Sequence, residues 1–171
     1  MLYDYKGIKP SLHETVFIAD GVRIIGEVSI EQECSIWYNA VLRGDLAPIR
    51  IGQRTNIQDG TIAHVNMNQP LLIGDDVSVG HGAIIHGCTI GKGALIGMGA
   101  IILNGAIIGE YALIGAGSIV TENNIIPPYT LSLGSPARVV RELTAVDLNR
   151  MKVTTDNYVL KGKEYKHDET R

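Results

Sequence analysis

Five histidines lie among the 171 residues, and three of them are close together: His64, His81 and His86. Imidazole is the commonest protein metal ligand and works as a general acid or base near neutral pH. Three histidines around a metal with an open fourth position form a catalytic zinc pattern, in which bound water ionises near pH 7. The gaps between them, 17 residues and then 5, look irregular. Their convergence therefore depends on the architecture that carries them. His13 and His167 fall near the ends of the chain and read as surface residues.

That architecture is a repeat. Aliphatic anchors recur every six residues at Ile18, Ile24, Ile30, Ile36 and Leu42, then at Ile51, Ile57 and Ala63. They resume at Ile73, Val79 and Ile85, and run from Ile90 through Ile96, Ile102, Ile108, Ile114 and Val120 to Ile126. Small or β-branched residues follow most anchors four positions later, often just after a glycine, as at Gly82-Ala83 and Gly99-Ala100. A six-residue unit is too short for a helical repeat and suits a short strand and a bend. Three units close one triangular coil, so the pattern predicts an all-β, parallel hexapeptide β-helix. Eighteen hexads make about six coils, and at ~4.8 Å per coil the prism is roughly 29 Å long. The register breaks by three extra residues around Ala47-Pro48-Ile49, by four within Val65–Pro70, and by one missing residue between Ile85 and Ile90. Insertions of this kind map to loops, often on a binding face.

The register explains the histidines. His64 is one residue past anchor Ala63, and His86 is one past Ile85. The 22 residues between them are one coil plus the four inserted. Both imidazoles therefore point outward from the same place on adjacent coils, ~4.8 Å apart, close enough to share one metal. His81 is two past Val79, on the preceding face. Five extended residues, about 16 Å, separate it from His86. A neighbouring chain is the easier source of a third ligand, and a cyclic trimer would make three equivalent sites. The same bookkeeping puts Arg43 one coil below His64 and Asp59 one coil below His81, with Gln58 beside Asp59. Arg43, Asp45, Gln58 and Asp59 thus flank the expected metal. Gln58 is placed to hydrogen-bond a bound hydroxide, and Arg43 to pair with a carboxylate across a subunit interface. Asp45 and Asp59 as plain turn caps remain the alternative. Cys88, three past its anchor, reads as a small packing residue.

Composition narrows the classes. The net charge is −3, with 15 basic and 18 acidic side chains, which argues against nucleic acid as a partner. Apolar residues make up 45% and charged residues 19%, so the chain is not of the disordered type. No apolar run is long enough for a membrane span. The start lacks the build of a secretion signal, and with two cysteines and no disulfide framework the expected address is the cytoplasm. Residues 1–136 read as the repeat domain, with an N-terminal cap over about 1–17. Residues 137–171 contain no isoleucine and 14 charged residues, and read as a helical segment packed on the same domain. Thr144-x-x-Asp147 resembles a helix start, and Leu148, Met151, Thr155, Tyr158 and Val159 follow at helical spacing.

Together, Arg43-Gly44-Asp45, Asn56-Ile57-Gln58-Asp59-Gly60, His64, the Gly80–Cys88 segment, Gly97-Met98-Gly99-Ala100 and Gly134-Ser135-Pro136-Ala137 resemble the γ-class carbonic anhydrase-like family of left-handed β-helix proteins. The resemblance covers about residues 10–143. It implies a homotrimer with metal between subunits, His64 and His86 from one chain and His81 from the next. It implies that Gln58 orients the metal-bound water and that Arg43, Asp45 and Asp59 build the interface network. The implied reaction is the reversible hydration of CO₂ to bicarbonate on Zn²⁺, with Fe²⁺ or Co²⁺ also suited to imidazole ligands. The chain departs from the archaeal enzyme of the family at Leu46, where that enzyme has a carboxylate. The loop Val65–Pro70 also lacks the acid that shuttles protons there. Two rivals stay open: a CoA-dependent hexapeptide acyltransferase with one histidine as base, and a non-catalytic metal-binding or scaffold trimer.

Overall fold

A computed structural model describes residues 1–168. The chain winds as a left-handed parallel β-helix of about seven turns, closed by one C-terminal helix. Each strand pairs in parallel with the strand one coil earlier, as Ile85 with Ala63 and Ile96 with Val79. The aliphatic anchors point inward and are almost wholly buried, from Ile24 and Leu42 through Ile85 to Ile114. Burying one such side chain contributes about 1.5–3 kcal/mol, so the stacked ladders are the main source of stability.

The eighteen hexads predict about six coils, and the structure has about seven. Leu2–Tyr3 and Ser11–Leu12 pair with the strand Arg23–Ile30, and Phe17–Ile18 pairs with Ser35–Ile36. The first two strands of this coil escape the six-residue pattern, which starts at Ile18, because Leu2 to Leu12 spans ten residues and Leu2 is exposed. At the other end Ser132, buried in an anchor position, extends the last coil.

All three register breaks fall at one corner of the prism, between the first face, which carries Leu42, Ala63 and Ile85, and the second, which carries Ile51, Ile73 and Ile90; the third carries Ile36, Ile57 and Val79. They differ in form. The extra residues near Ala47-Pro48-Ile49 do not project as a loop. They are absorbed in the long strand Val41–Ile51, whose pairing with Arg23–Ile30 slips between Gly26 and Val28. The second insertion does form a turn, closed by backbone hydrogen bonds between Asn66 and Gln69. The missing residue leaves a tight corner at Gly87, with φ +49°. Every break therefore lies beside His64 and His86.

The sheet continues past Pro136. Thr130–Gly134 and Ala137–Glu142 pair as an antiparallel hairpin around the cis Ser135–Pro136 bond. The helix α1, Ala145–Asp168, then packs back on the third face of the prism. Its start is a reciprocal cap: the Thr144 N–H donates to Asp147 Oδ2 at 2.8 Å, and the Asp147 N–H donates to Thr144 Oγ1 at 3.2 Å. Met151, Thr155, Val159 and Gly162 form its buried stripe. Trp37 on the prism takes Tyr158 and Tyr165 of α1 edge-on, with ring centroids 5.4 and 5.2 Å away. Arg54 adds ion pairs to Asp76 of the prism and Asp156 of α1 at 2.7 and 2.6 Å, and Glu33 pairs with Lys163. No helix among the described residues is long and apolar enough to cross a membrane.

Candidate metal centre

The ladder of parallel strands sets the first two imidazoles. Arg43, His64 and His86 are successive partners across three coils. His64 Nδ1 lies 2.9 Å from His86 Nε2, with ring centroids 4.9 Å apart. The remaining nitrogens are occupied on the far sides. His64 Nε2 is 2.8 Å from Asp45 Oδ1, and His86 Nδ1 is 2.6 Å from Asn104 Oδ1. Asn104 has its orientation set from behind, because its Nδ2 donates to Glu122 at 3.2 Å. Its oxygen therefore faces His86 as an acceptor.

These partners decide the tautomers. A carboxylate and an amide oxygen only accept, so both far nitrogens carry protons. The two near nitrogens then meet lone pair to lone pair at 2.9 Å, an arrangement that calls for a proton or a cation between them. Ligand nitrogens on a tetrahedral zinc at ~2.0–2.1 Å stand ~3.3 Å apart, so a few tenths of an ångström of opening would admit the ion. A metal-bound histidine almost always gives its other N–H to a carboxylate, a carbonyl or water. The pair fits a metal on that ground.

Gly87 helps to build this arrangement. A Cβ at that position would lie 2.7 Å from Asn104 Oδ1. Only glycine lets the amide approach the His86 ring, and the positive φ favours glycine as well.

His81 is held in the same way at a different corner. Its Nδ1 lies 2.8 Å from Asp59 Oδ2, which leaves Nε2 outward with the Tyr158 hydroxyl 3.4 Å away. Gly82, with φ +65°, makes the bend that follows it. Gln58 is buried nearby, with Nε2 donating to Asn56 Oδ1 at 3.0 Å. Gln58, His81, Met98 and Tyr158 line a cavity of about 320 Å³ whose other walls include Leu95, Leu113 and Leu131.

The structure thus brings His64, His86, Asp45 and Arg43 together, and sets His81, Asp59 and Gln58 on another edge of the same chain. Among the described residues no three histidine, cysteine, aspartate or glutamate side chains converge to hold a metal. Arg43 pairs with Asp45 of its own chain. Burial works against the Asp45 carboxylate, but the hydrogen bonds from His64 and Arg43 and the Arg43 charge outweigh it and hold its pKa below the ordinary value. Burial pushes the Cys88 thiol up to about 12, so it stays protonated and packs as a small apolar residue. Asn104, Glu122 and Tyr158 were not singled out by the register. Asn104 and Glu122 sit two past their anchors, whereas His86 sits one past its own, and Tyr158 arrives from the helix.

A left-handed prism of hexads defines a class, the hexapeptide-repeat proteins. The family model of the bacterial transferase hexapeptide (six repeats) matches residues 87–122. A carbonic anhydrase of Geobacillus kaustophilus is 54% identical over 97% of this chain and 91% of its own length. The mitochondrial gamma carbonic anhydrase 2 of Arabidopsis thaliana is 42% identical over 88% of this chain and 56% of its own. The crystal structure of a Bacillus cereus protein, described provisionally as an acetyltransferase, has a TM-score of 0.96 at 52% identity, covering 97% of this chain and 96% of that one. The chain belongs to the γ-class carbonic anhydrase-like family of lyases.

Proposed function

We propose that the chain catalyses the reversible hydration of CO₂ to bicarbonate at a metal ion shared between protomers of a homotrimer. His64 and His86 of one protomer and His81 of its neighbour would hold it. The observation that carries this reading is common to all three imidazoles. Each gives one nitrogen to a fixed acceptor, Asp45, Asn104 or Asp59, and turns the other away from it, towards the second imidazole in the pair and towards the Tyr158 hydroxyl at His81. Zn²⁺ suits three imidazoles, and Fe²⁺ or Co²⁺ also suit them. When bound, such an ion lowers the pKa of water towards 7 and so supplies the nucleophile.

The chain's own residues do the rest. Gln58 gives its N–H to Asn56 and so offers its carbonyl oxygen as an acceptor to align the attacking water. Asp45 and Asp59 hold the ring orientations of His64 and His81, and the hydrogen bonds from His64 and Arg43 together hold the Asp45 pKa down. The leucine walls of the cavity beside Gln58 and His81 suit a small apolar substrate. The outward row Val41, Ile62, Ile84, Ile101 and Ile119, next to the histidine pair, offers apolar surface for the neighbouring protomer.

The test is metal content by elemental analysis of chain purified anaerobically without chelator, followed by a CO₂-hydration assay. The expected result is about one metal ion per chain, lost in His64→Ala and in His81→Ala, because three imidazoles complete the site. Metal unaffected by both changes, or none in the unmodified chain, would overturn the reading and leave acyl transfer or a scaffold role.

A further inference from the structure

Gln58 works as an acceptor only if its amide is held one way round, and the device that holds it reaches the C-terminal helix. Asn56 and Gln58 flank the anchor Ile57, so their side chains share the third face of the prism. Gln58 Nε2 donates to Asn56 Oδ1 at 3.0 Å. Asn56 Nδ2 donates to Ser78 Oγ at 2.8 Å, across one rung of the parallel ladder. Ser78 Oγ is 3.1 Å from Thr155 Oγ1 on α1. Thr155 Oγ1 is 3.2 Å from the Asp76 carbonyl oxygen and 3.3 Å from that of Met151. All four side chains are buried.

The direction of this chain is determined at its far end. Carbonyl oxygens only accept, so the single Thr155 proton goes to one of them. Thr155 must then accept from Ser78, Ser78 from Asn56, and Asn56 from Gln58. A flipped Gln58 amide would place its carbonyl oxygen against Asn56 Oδ1, and buried polar groups without partners are costly. We infer that Thr155 is a positioning residue. Seated by the helix, it sets the polarity of a relay through Ser78 and Asn56 that turns the Gln58 carbonyl oxygen towards the cavity. The consequence for turnover rests on the role proposed above for Gln58, whereas the relay itself does not.

The experiment uses the full chain labelled with ¹⁵N-glutamine. The Gln58 side-chain amide signals are identified by their loss in Gln58→Ala. In Thr155→Val the relay loses its terminal acceptor. The expected results are a shift of the Gln58 amide signals and a turnover number lower by about fivefold, the factor that one neutral hydrogen bond is worth, with metal content and KM unchanged. Thr155→Ser restores both. Trp37 fluorescence reports whether α1 stays seated, since that ring packs on Tyr158 and Tyr165. If it does not, Ser78→Ala breaks the relay from the prism side, with the same expectations. Unchanged Gln58 signals with α1 seated would overturn the inference and leave the Val77 carbonyl, 3.5 Å from Asn56 Nδ2, as what orients the amide. Shifted signals with undiminished turnover would support the relay and refute the role of Gln58 instead.

Discussion

A metal site divided between two protomers makes a numerical prediction about mixtures. His64 and His86 are neighbours on one strand ladder, whereas His81 is anchored to Asp59 at another corner of the same chain. In a cyclic trimer each interface would take its histidine pair from one protomer and His81 from the next. A His64→Ala chain can then supply only His81, and a His81→Ala chain only the pair. If a fraction p of the chains is His64→Ala and assembly is random, an interface has all three ligands with probability p(1 − p). At equal amounts this is about one quarter, while each variant alone gives none. The assay is to unfold the two variants together, refold them with Zn²⁺, isolate the trimer and measure zinc per chain and CO₂ hydration. Both should rise from near zero to about a quarter of the unmodified level, and fall off on either side of the equal mixture. Recovery would be absent at every ratio if one chain supplied all three ligands. That flat line, with trimers formed, would refute the divided site and the register argument behind it.

Other consequences follow from the surroundings of the site and the seat of the helix. Asn104→Ala removes the acceptor that holds His86 Nδ1, and metal affinity should fall about 10–100-fold, read by competition with a chelator. Gly87→Ala pushes the same amide aside and should lower affinity in the same direction. Burial raises the Cys34 and Cys88 thiols from 9.0 to about 12. Both should alkylate far more slowly in the folded chain than after unfolding, measured by mass spectrometry at mildly alkaline pH. Glu33 is held below its ordinary pKa first by its hydrogen bond from Lys163, and Asp156 first by that from Lys152 and then by that from Arg54. Depressed folded values mean that this stabilisation is full above the ordinary carboxylate range and is lost as pH falls through the lowered values. Trp37 fluorescence should therefore report loosening of α1 as the pH is lowered below the ordinary carboxylate range, and no change above it.

The division between what the sequence reveals and what it hides follows the physics of a solenoid. Each coil touches only its neighbours, so position is nearly one-dimensional and register carries from one coil to the next. That is why the His64–His86 pairing was legible once the four inserted residues were counted, and the place of Arg43 once the three before them were. Asn104 was not, because the residue missing after Ile85 shortens that corner and brings a side chain two past its anchor against a ring one past its own. The first two strands of the first coil were hidden for a related reason: the ten-residue step from Leu2 to Leu12 breaks the period, and parallel pairing with Arg23–Ile30 defines them instead. The helix contributions lie outside the register altogether. Tyr158 and Thr155 are both 77 residues from the side chains they meet, His81 and Ser78, and nothing in a six-residue period specifies where a docked helix lands. Their placement depends on the Trp37 aromatic cluster and the Arg54 ion pairs. The period of the prism therefore places the candidate ligands, while the docking of α1 sets which face the groups around them present.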